Sequence, residues 1–313
     1  MSGSSQVTSS DVTAAAGRIA PHVIRTPVLR HDVLDDWAGC RVVAKAEHLQ
    51  GAGAFKLRGA TNAVLLLDEV TAARGVAAHS SGNHGAALAL AGSRRGVPVT
   101  VVMPADAPEV KKRAVAGYGA TIMECAPWLA ARESTLAEVV ATTGATEIHP
   151  YDNPDVIAGA GTAALELVDQ APDLDVVMAP VGGGGLISGT SLASHGIDHR
   201  IRVIGAEPER ADDAARSLAA GTLIPQTAPD TMADGLRTAL SARTFSIISA
   251  HVERIITISE DEIVAALRLC WDELGWRIEP SAAVAIAALR HPGVGGDVGV
   301  ILTGGNVPRD GRW

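Results

Sequence analysis

Four consecutive glycines, Gly182, Gly183, Gly184 and Gly185, stand between the apolar run at 176–180 and a second apolar stretch that opens at Leu186. Glycine loses more conformational freedom on folding than any other residue, so four in a row cost far more than a simple turn requires. A strand, a glycine turn and a helix start in that order present bare backbone N–H groups at the positive end of a helix dipole, which suits a phosphate. The run is not G-x-x-x-x-G-K-[ST] and fits G-x-G-x-x-G poorly, so it points away from a nucleotide P-loop and from a dinucleotide site. Glycine is in excess throughout, 33 of 313 residues, about 10.5% against a usual ~7%. That excess predicts many tight strand-to-helix turns, or backbone brought close to a ligand.

Short β-branched runs alternate with longer helical stretches, the pattern of parallel sheets covered by helices. One series predicts strands over 76–79, 99–103, 121–124 and 146–149, with helices over 83–94, 108–116 and 129–142 between them. A second predicts strands over 176–180, 203–207, 255–258 and 298–303, with helices over 186–194 and 262–274. The last of these helices is opened by Ser259 and Glu262 at capping-box spacing and closed by Gly275. Residues 211–242 have weak periodicity and read as an irregular connection near a site. The expected fold class is α/β, two open twisted parallel sheets with a ligand cleft at the carboxyl ends of their strands.

Composition removes several functions. The balance of 26 Lys plus Arg against 35 Asp plus Glu gives a net charge of −9, and aromatic residues are only 3% of the chain. Neither a phosphate backbone nor a single strand of bases finds its usual partners here, so no nucleic-acid partner is expected. No apolar run approaches the roughly 18 residues of a membrane helix, and the serine-rich start lacks the basic and apolar regions of a secretory signal. Cys40, Cys125 and Cys270 stand far apart, which fits neither a disulfide framework nor a C-x-x-C site and reads as small apolar residues in a reducing cytoplasm.

Three further motifs carry chemistry. Lys56 lies in Gly53-Ala54-Phe55-Lys56-Leu57-Arg58-Gly59-Ala60, an apolar, glycine-flanked setting that would lower its pKa and make it a nucleophile toward a carbonyl. Ser80-Ser81-Gly82-Asn83-His84-Gly85 follows a predicted strand and starts a helix, with hydroxyls, an amide and free N–H groups suited to a substrate carboxylate. Leu302-Thr303-Gly304-Gly305-Asn306 again places glycines at a strand end. Each alone has a bland explanation: a solvated lysine, a helix cap, a turn.

Together, in order and spacing, these motifs resemble the fold-type-II pyridoxal-phosphate enzymes of the tryptophan synthase β-like architecture, in particular the branch of serine racemase and the serine and threonine dehydratases. Arg25-Thr26-Pro27-Val28, Val156-Ile157-Ala158-Gly159 and Ile278-Glu279-Pro280 extend the similarity over nearly the whole chain. The resemblance implies a large domain of residues 1–74 and 151–313 and a small mobile domain of 75–150, with pyridoxal 5′-phosphate in the cleft. Lys56 would carry the cofactor as a Schiff base and then act as the base at Cα. Gly182, Gly183, Gly184, Gly185 and Leu186 would hold its phosphate, Asn83 its 3′ oxygen, and Thr303 its pyridine nitrogen, with Phe55 and Glu279 beside it. A hydroxyl facing that nitrogen stabilises a pyridinium less than a carboxylate does, which favours prompt loss of a β-leaving group. The implied reaction is dehydration and deamination of a β-hydroxy amino acid to a 2-oxo acid.

The same resemblance gives Ser81 as a second acid or base on the opposite face, as serine racemisation needs. Ser80, Gly82, Asn83, His84, Arg132 and Thr238 would face the substrate, and Arg132 pairing with a distal carboxylate would admit 3-hydroxyaspartate. Glu207, the carbonyl of Ala211 and Asp213 look like the branch's divalent-cation site, with oxygen ligands for Mg²⁺, Ca²⁺ or Mn²⁺. A homodimer is implied in the same way. Ala54 where the family usually has Ser, Thr303 for Ser and Ala86 for Gln are departures that bear on substrate identity. No feedback domain is expected after Asn306. A β-replacement synthase of the same fold, or a binding module that has lost catalysis, are the competing readings.

Overall fold

The structure, a computed structural model, describes residues 7–80 and 82–307. Its ten strands are β1 (Val28–Leu29), β2 (Arg41–Lys45), β3 (Val76–His79), β4 (Val99–Pro104), β5 (Thr121–Cys125), β6 (Thr146–Glu147), β7 (Val176–Pro180), β8 (Arg202–Pro208), β9 (Arg254–Ile258) and β10 (Asp297–Ile301). They form a six-stranded sheet in the order β1-β2-β10-β7-β8-β9 and a four-stranded sheet in the order β5-β4-β3-β6. Every pairing is parallel except β1 with β2. The chain therefore builds two α/β units, as the alternation predicts, and in each the strand ends that carry loops to a ligand point the same way.

Both faces of the six-stranded sheet are covered. Along β7, Val176 and Met178 enter one core while Val177 and Ala179 enter the other, the two-residue alternation of a strand. The Pro280–Ala288 helix, buried at all nine positions, fills the first core. The Pro154–Gln170 and Gly185–Ile197 helices fill the second. Part of the glycine excess has its cause here. A methyl group on Gly161 would lie 2.5 Å from the Gly189 carbonyl, and one on Gly159 would lie 2.6 Å from that of Arg58, so these helices cross closer than any side chain permits.

Several elements differ from expectation. The capping box at Ser259 and Glu262 forms, but the helix runs Glu260–Arg268 and then widens to a π-turn over Leu269–Glu273 before Gly275. The segment expected to be irregular contains a helix, Asp213–Ala220. The fourth strand of the smaller sheet stops at Glu147, which releases His149 and Pro150 into the cleft region. Strand β2 is not evident from composition. It ends on Lys45, an ammonium with no exposed surface that donates to Glu166, Gln170 and the Thr26 carbonyl.

That lysine belongs to a buried charge network. Arg58, equally enclosed, donates to both carboxylate oxygens of Glu47 and to both of Glu166. Burying charges without partners is prohibitive, and removing one partner from such a set costs about 3–5 kcal/mol. Arg58 lies on the Lys56–Leu65 helix. That helix places Leu57, Ala60, Ala63 and Val64 in the core of the four-stranded unit, so it is packed into one unit and bonded by charge to the other. Among the described residues, no helix is long and apolar enough to cross a membrane.

Candidate active site

Lys56 opens its helix, and its ammonium donates to the Pro150 carbonyl at 3.0 Å and lies 5.1 Å from the centre of the Phe55 ring. The side chain is half-buried, but its tip is enclosed. Burial pulls its pKa down to about 8, against the opposing pull of Glu279. An amine so shifted is unprotonated in useful amount near neutral pH. The loop before it is fixed to the end of the chain's last strand segment: Ala54 bridges Gly304, Phe55 N–H donates to the Thr303 carbonyl, and Gly305 N–H donates to that of Gly53.

The tetraglycine turn links β7 to the Gly185–Ile197 helix. Val181 N–H is taken by Ala206 and Ser188 N–H by Gly184, while the six N–H groups from 182 to 187 have no acceptor among the described residues. Bare, buried donors at a helix start fit a phosphate. The missing side chains have a second reason. A methyl on Gly183 would lie 2.3 Å from the Tyr151 ring, one on Gly185 2.8 Å from Tyr151 Cβ, and one on Gly184 2.8 Å from Leu240. Gly184 also has φ +82°, a left-handed conformation that favours glycine. Thr238, expected near substrate, stands with Oγ1 3.0 Å from where a Gly182 methyl would be.

Asn83 and Glu279 meet across the cleft. Asn83 Nδ2 donates to both Glu279 oxygens at 2.8 and 3.0 Å, and Asn306 Nδ2 donates to Asn83 Oδ1 at 2.9 Å. A side chain on Gly304 would occupy the carboxylate's place, 2.5 Å from Oε1. Burial pushes the Glu279 pKa up to about 7, although the bond from Asn83 favours the charged form. Thr303 Oγ1 is buried with no hydrogen-bond partner, a hydroxyl waiting for one polar atom of a ligand. The orphaned loop amides, this hydroxyl and the lowered lysine together fit an aldehyde cofactor with a phosphate at one end.

On the substrate side, Ser81 lies outside the described residues. Ser80 Oγ accepts the N–H groups of Gly82 and Gly85, while the Cβ direction of Gly82 opens on free space. His84 is enclosed, its Nε2 donating to the Ile148 carbonyl at 2.8 Å, and burial, then Lys56, pulls its pKa down to about 3. Arg132, on the Leu129–Thr143 helix, has Nε buried without an acceptor. The Glu207 carboxylate is fully buried at the end of β8 and accepts from Ala214 and Ala215 N–H, and Asp213 accepts from Gln226 Nε2 and Leu240 N–H. Ala211 is buried beside them. Burial, with Asp213 adding to it, raises the Glu207 pKa to about 9, the condition of a carboxylate that a cation would relieve. Among the described residues no group of three His, Cys, Asp or Glu side chains is placed to hold a metal; the expected set has two carboxylates and a carbonyl.

Tyr151 and Pro150 carry no sequence signal as site residues, and Asn306, though it ends the motif begun at Leu302, has no role assigned by it. Their roles come from where they fold: Pro150 receives the lysine, the next residue seals the glycine turn, and Asn306 fills the space that Gly53 leaves.

A family model described as pyridoxal-phosphate dependent enzyme matches residues 19–304. The chain is 50% identical over 303 residues to a β-hydroxyaspartate dehydratase from Paracoccus denitrificans (strain Pd 1222), covering 96% of each. It matches the crystal structure of serine racemase from Dictyostelium discoideum with TM-score 0.92 and 43% identity, over 96% of this chain and 99% of that one. The structure of maize serine racemase matches with TM-score 0.95 and 39% identity, over 97% of this chain and 95% of that one.

Proposed function

The chain belongs to the pyridoxal-phosphate-dependent enzymes, and from that membership we propose that it is a dehydratase (ammonia-lyase) of β-hydroxy amino acids with 3-hydroxyaspartate as its preferred substrate. The observation that carries the choice is Arg132, whose Nε is buried with no acceptor on a helix beside the cleft. A buried N–H left so is costly unless a ligand carboxylate meets it. The 50% identity to a β-hydroxyaspartate dehydratase supports the same reading.

Pyridoxal phosphate, joined to a lysine, supplies an electron sink that acidifies the Cα–H of an amino acid. Lys56 would be the residue that bonds to it, and its Nζ would take the Cα proton. The amides of Gly182, Gly183, Gly184, Gly185 and Leu186 would hold the phosphate, Thr303 Oγ1 would donate to the ring nitrogen, and Asn83, clamped by Glu279, would meet the 3′ oxygen beside Phe55. Ser80, Gly82 and Asn83 receive the α-carboxylate on a loop stiffened by His84, and Thr238 borders the pocket. The β-hydroxyl leaves as water, which returns on hydrolysis, so that 3-hydroxyaspartate gives oxaloacetate and ammonia.

A second reading, dehydration of serine or threonine with serine racemisation, rests on Ser81 as the opposing acid or base and on the 43% identity to serine racemase. Glu207, Ala211 and Asp213 hold a divalent cation, residues 75–150 move as the small domain, and the chain works as a homodimer; the two buried acids side by side support the first of these. Assay of the holoenzyme with both 3-hydroxyaspartate diastereomers, L- and D-serine and L-threonine tests the proposal. We expect the highest kcat/KM with a hydroxyaspartate, and Arg132→Leu to lower it by at least about tenfold while sparing serine. Serine or threonine as the best substrate would overturn it. Lys56→Ala is expected to lose at least about a thousandfold in rate and the borohydride-trapped adduct; an adduct retained would exclude Lys56.

A further inference from the structure

Three donors without acceptors converge on the carboxyl edge of the four-stranded sheet. Its strands are all parallel, so His79 at the end of β3, Cys125 at the end of β5 and His149 just beyond β6 lie on one edge. His149 Nδ1 accepts the Asp152 N–H at 2.9 Å and the Tyr151 N–H at 3.4 Å. That fixes the tautomer: the proton sits on Nε2, which has no partner among the described residues. Half-buried His79 makes no hydrogen bond among the described residues, and Arg132 Nε is buried with no acceptor.

These groups are close enough to feel one another. Burial and then the Arg132 charge lower the His79 pKa, with Glu133 opposing. Burial lowers that of His149 to about 4, with Asp152 opposing and His79 and Lys56 adding to the fall. Enclosed His84 feels Lys56, His149 and His79 in turn. Arg132 also bears on Cys125. The order along the edge is Lys56, His149, His79, Arg132: a file of nitrogen donors from the reactive amine outward, with Glu279 acting on Lys56, Asp152 on His149, Glu133 on His79 and Asp106 on Cys125 beside it.

We propose that His79 and His149 are specificity-determining residues which, with Arg132, bind the distal carboxylate of a dicarboxylic substrate. The inference rests on the hydroxyaspartate reading and deepens it. A carboxylate offers two oxygens with about four acceptor sites, enough for a guanidinium and two imidazoles. Serine brings nothing to that end and leaves the buried Arg132 Nε unpaired, so discrimination comes from that unmet donor and from the imidazole bonds that only a carboxylate gains. Burial disfavours the charged form of both imidazoles in the free protein, and an arriving carboxylate raises their affinity for protons. A dicarboxylate therefore binds with proton uptake and more tightly as pH falls.

Calorimetric titration of the pyridoxal-phosphate-loaded holoenzyme with succinate and with its half-amide succinamate separates the two claims. Wild type should bind succinate at least about tenfold more tightly, by a margin larger at pH 6.5 than at 8.5. His79→Gln and His149→Gln should each weaken succinate by about tenfold and leave succinamate within about twofold. If both variants bind succinate like wild type while Arg132→Gln loses the preference, the histidine assignment is wrong and the substrate reading stands. If wild type does not distinguish the two ligands, both fall. Should a variant fail to hold cofactor, wild type decides alone: in buffers of different ionisation enthalpy, succinate should take up protons and succinamate should not, and equal uptake overturns the assignment.

Discussion

The two strand-to-helix turns of the site use glycine for opposite ends. The turn after β7 is closed by its own protein, with Thr238 and Leu236 beside Gly182, Tyr151 beside Gly183 and Gly185, and Leu240 beside Gly184 filling the places side chains would take. The turn after β3 has open space beyond Gly82, and its helix is held from outside by the clasp of Asn83 with Glu279 and Asn306. One turn is fixed by packing, which pH does not touch. The other is fixed by a carboxyl group whose charge depends on pH. Rigidity suits the end of a cofactor that never leaves, while an adjustable clasp suits the end where substrate enters and product departs.

The largest effect that separates them is the pH response. The Glu279 pKa is raised from 4.5 to about 7 in the folded chain, so the native state holds a proton that the unfolded state releases. Stability from this group is full below about pH 4.5 and falls as pH rises to about 7, by about 3 kcal/mol. Urea unfolding of Glu279→Gln should lack that fall, and a parallel decline in variant and wild type would break the clasp half of the comparison. Next is the cation proposed behind the packed turn, where Asp213 binds Leu240 N–H and the Leu240 side chain abuts Gly184. Stripping it with a chelator from protein held at a hundredfold excess over Kd should cost about 2.7 kcal/mol; an unchanged melting temperature removes the site.

Gly183→Ala drives a methyl into Tyr151 and should cost about 1–3 kcal/mol, with faster release of cofactor measured by dialysis. Gly82→Ala is the smallest. Its φ is −139°, open to any residue, and no atom stands within 4 Å, so stability should stay within about 0.5 kcal/mol while KM rises. If Gly82→Ala destabilised as much as Gly183→Ala, the distinction between the turns would be lost.

What was legible in the sequence follows from how local each cause is. The parallel units, the Ser259 capping box and the motif around Lys56 are signalled within a few residues, and the structure has them. Strand β2 is short and carries arginine and lysine at its ends; only the carboxylate of Glu166, 121 residues away, makes Lys45 a buried residue. The Asp213–Ala220 helix lies among prolines and threonines that dilute its periodicity. The glycine run points to bare amides, yet nothing nearby in sequence says that Tyr151 fills the other side. His79 and His149 carry no spacing signal because strand register, not sequence distance, sets them on one edge.

The Arg58 network has a consequence for how such a chain can be cut and rejoined. A crossover between two homologues anywhere from residue 48 to residue 165 takes Glu47 from one parent and Glu166 from the other, while Arg58 is inherited with only one of them. A hybrid that joins Arg58 to a parental segment lacking either carboxylate strands a guanidinium with no surface on which to shed its charge. Two units that look separable as architecture are therefore a single unit of recombination, fastened by the bonds of one guanidinium, on the helix that Lys56 opens, to two carboxylates.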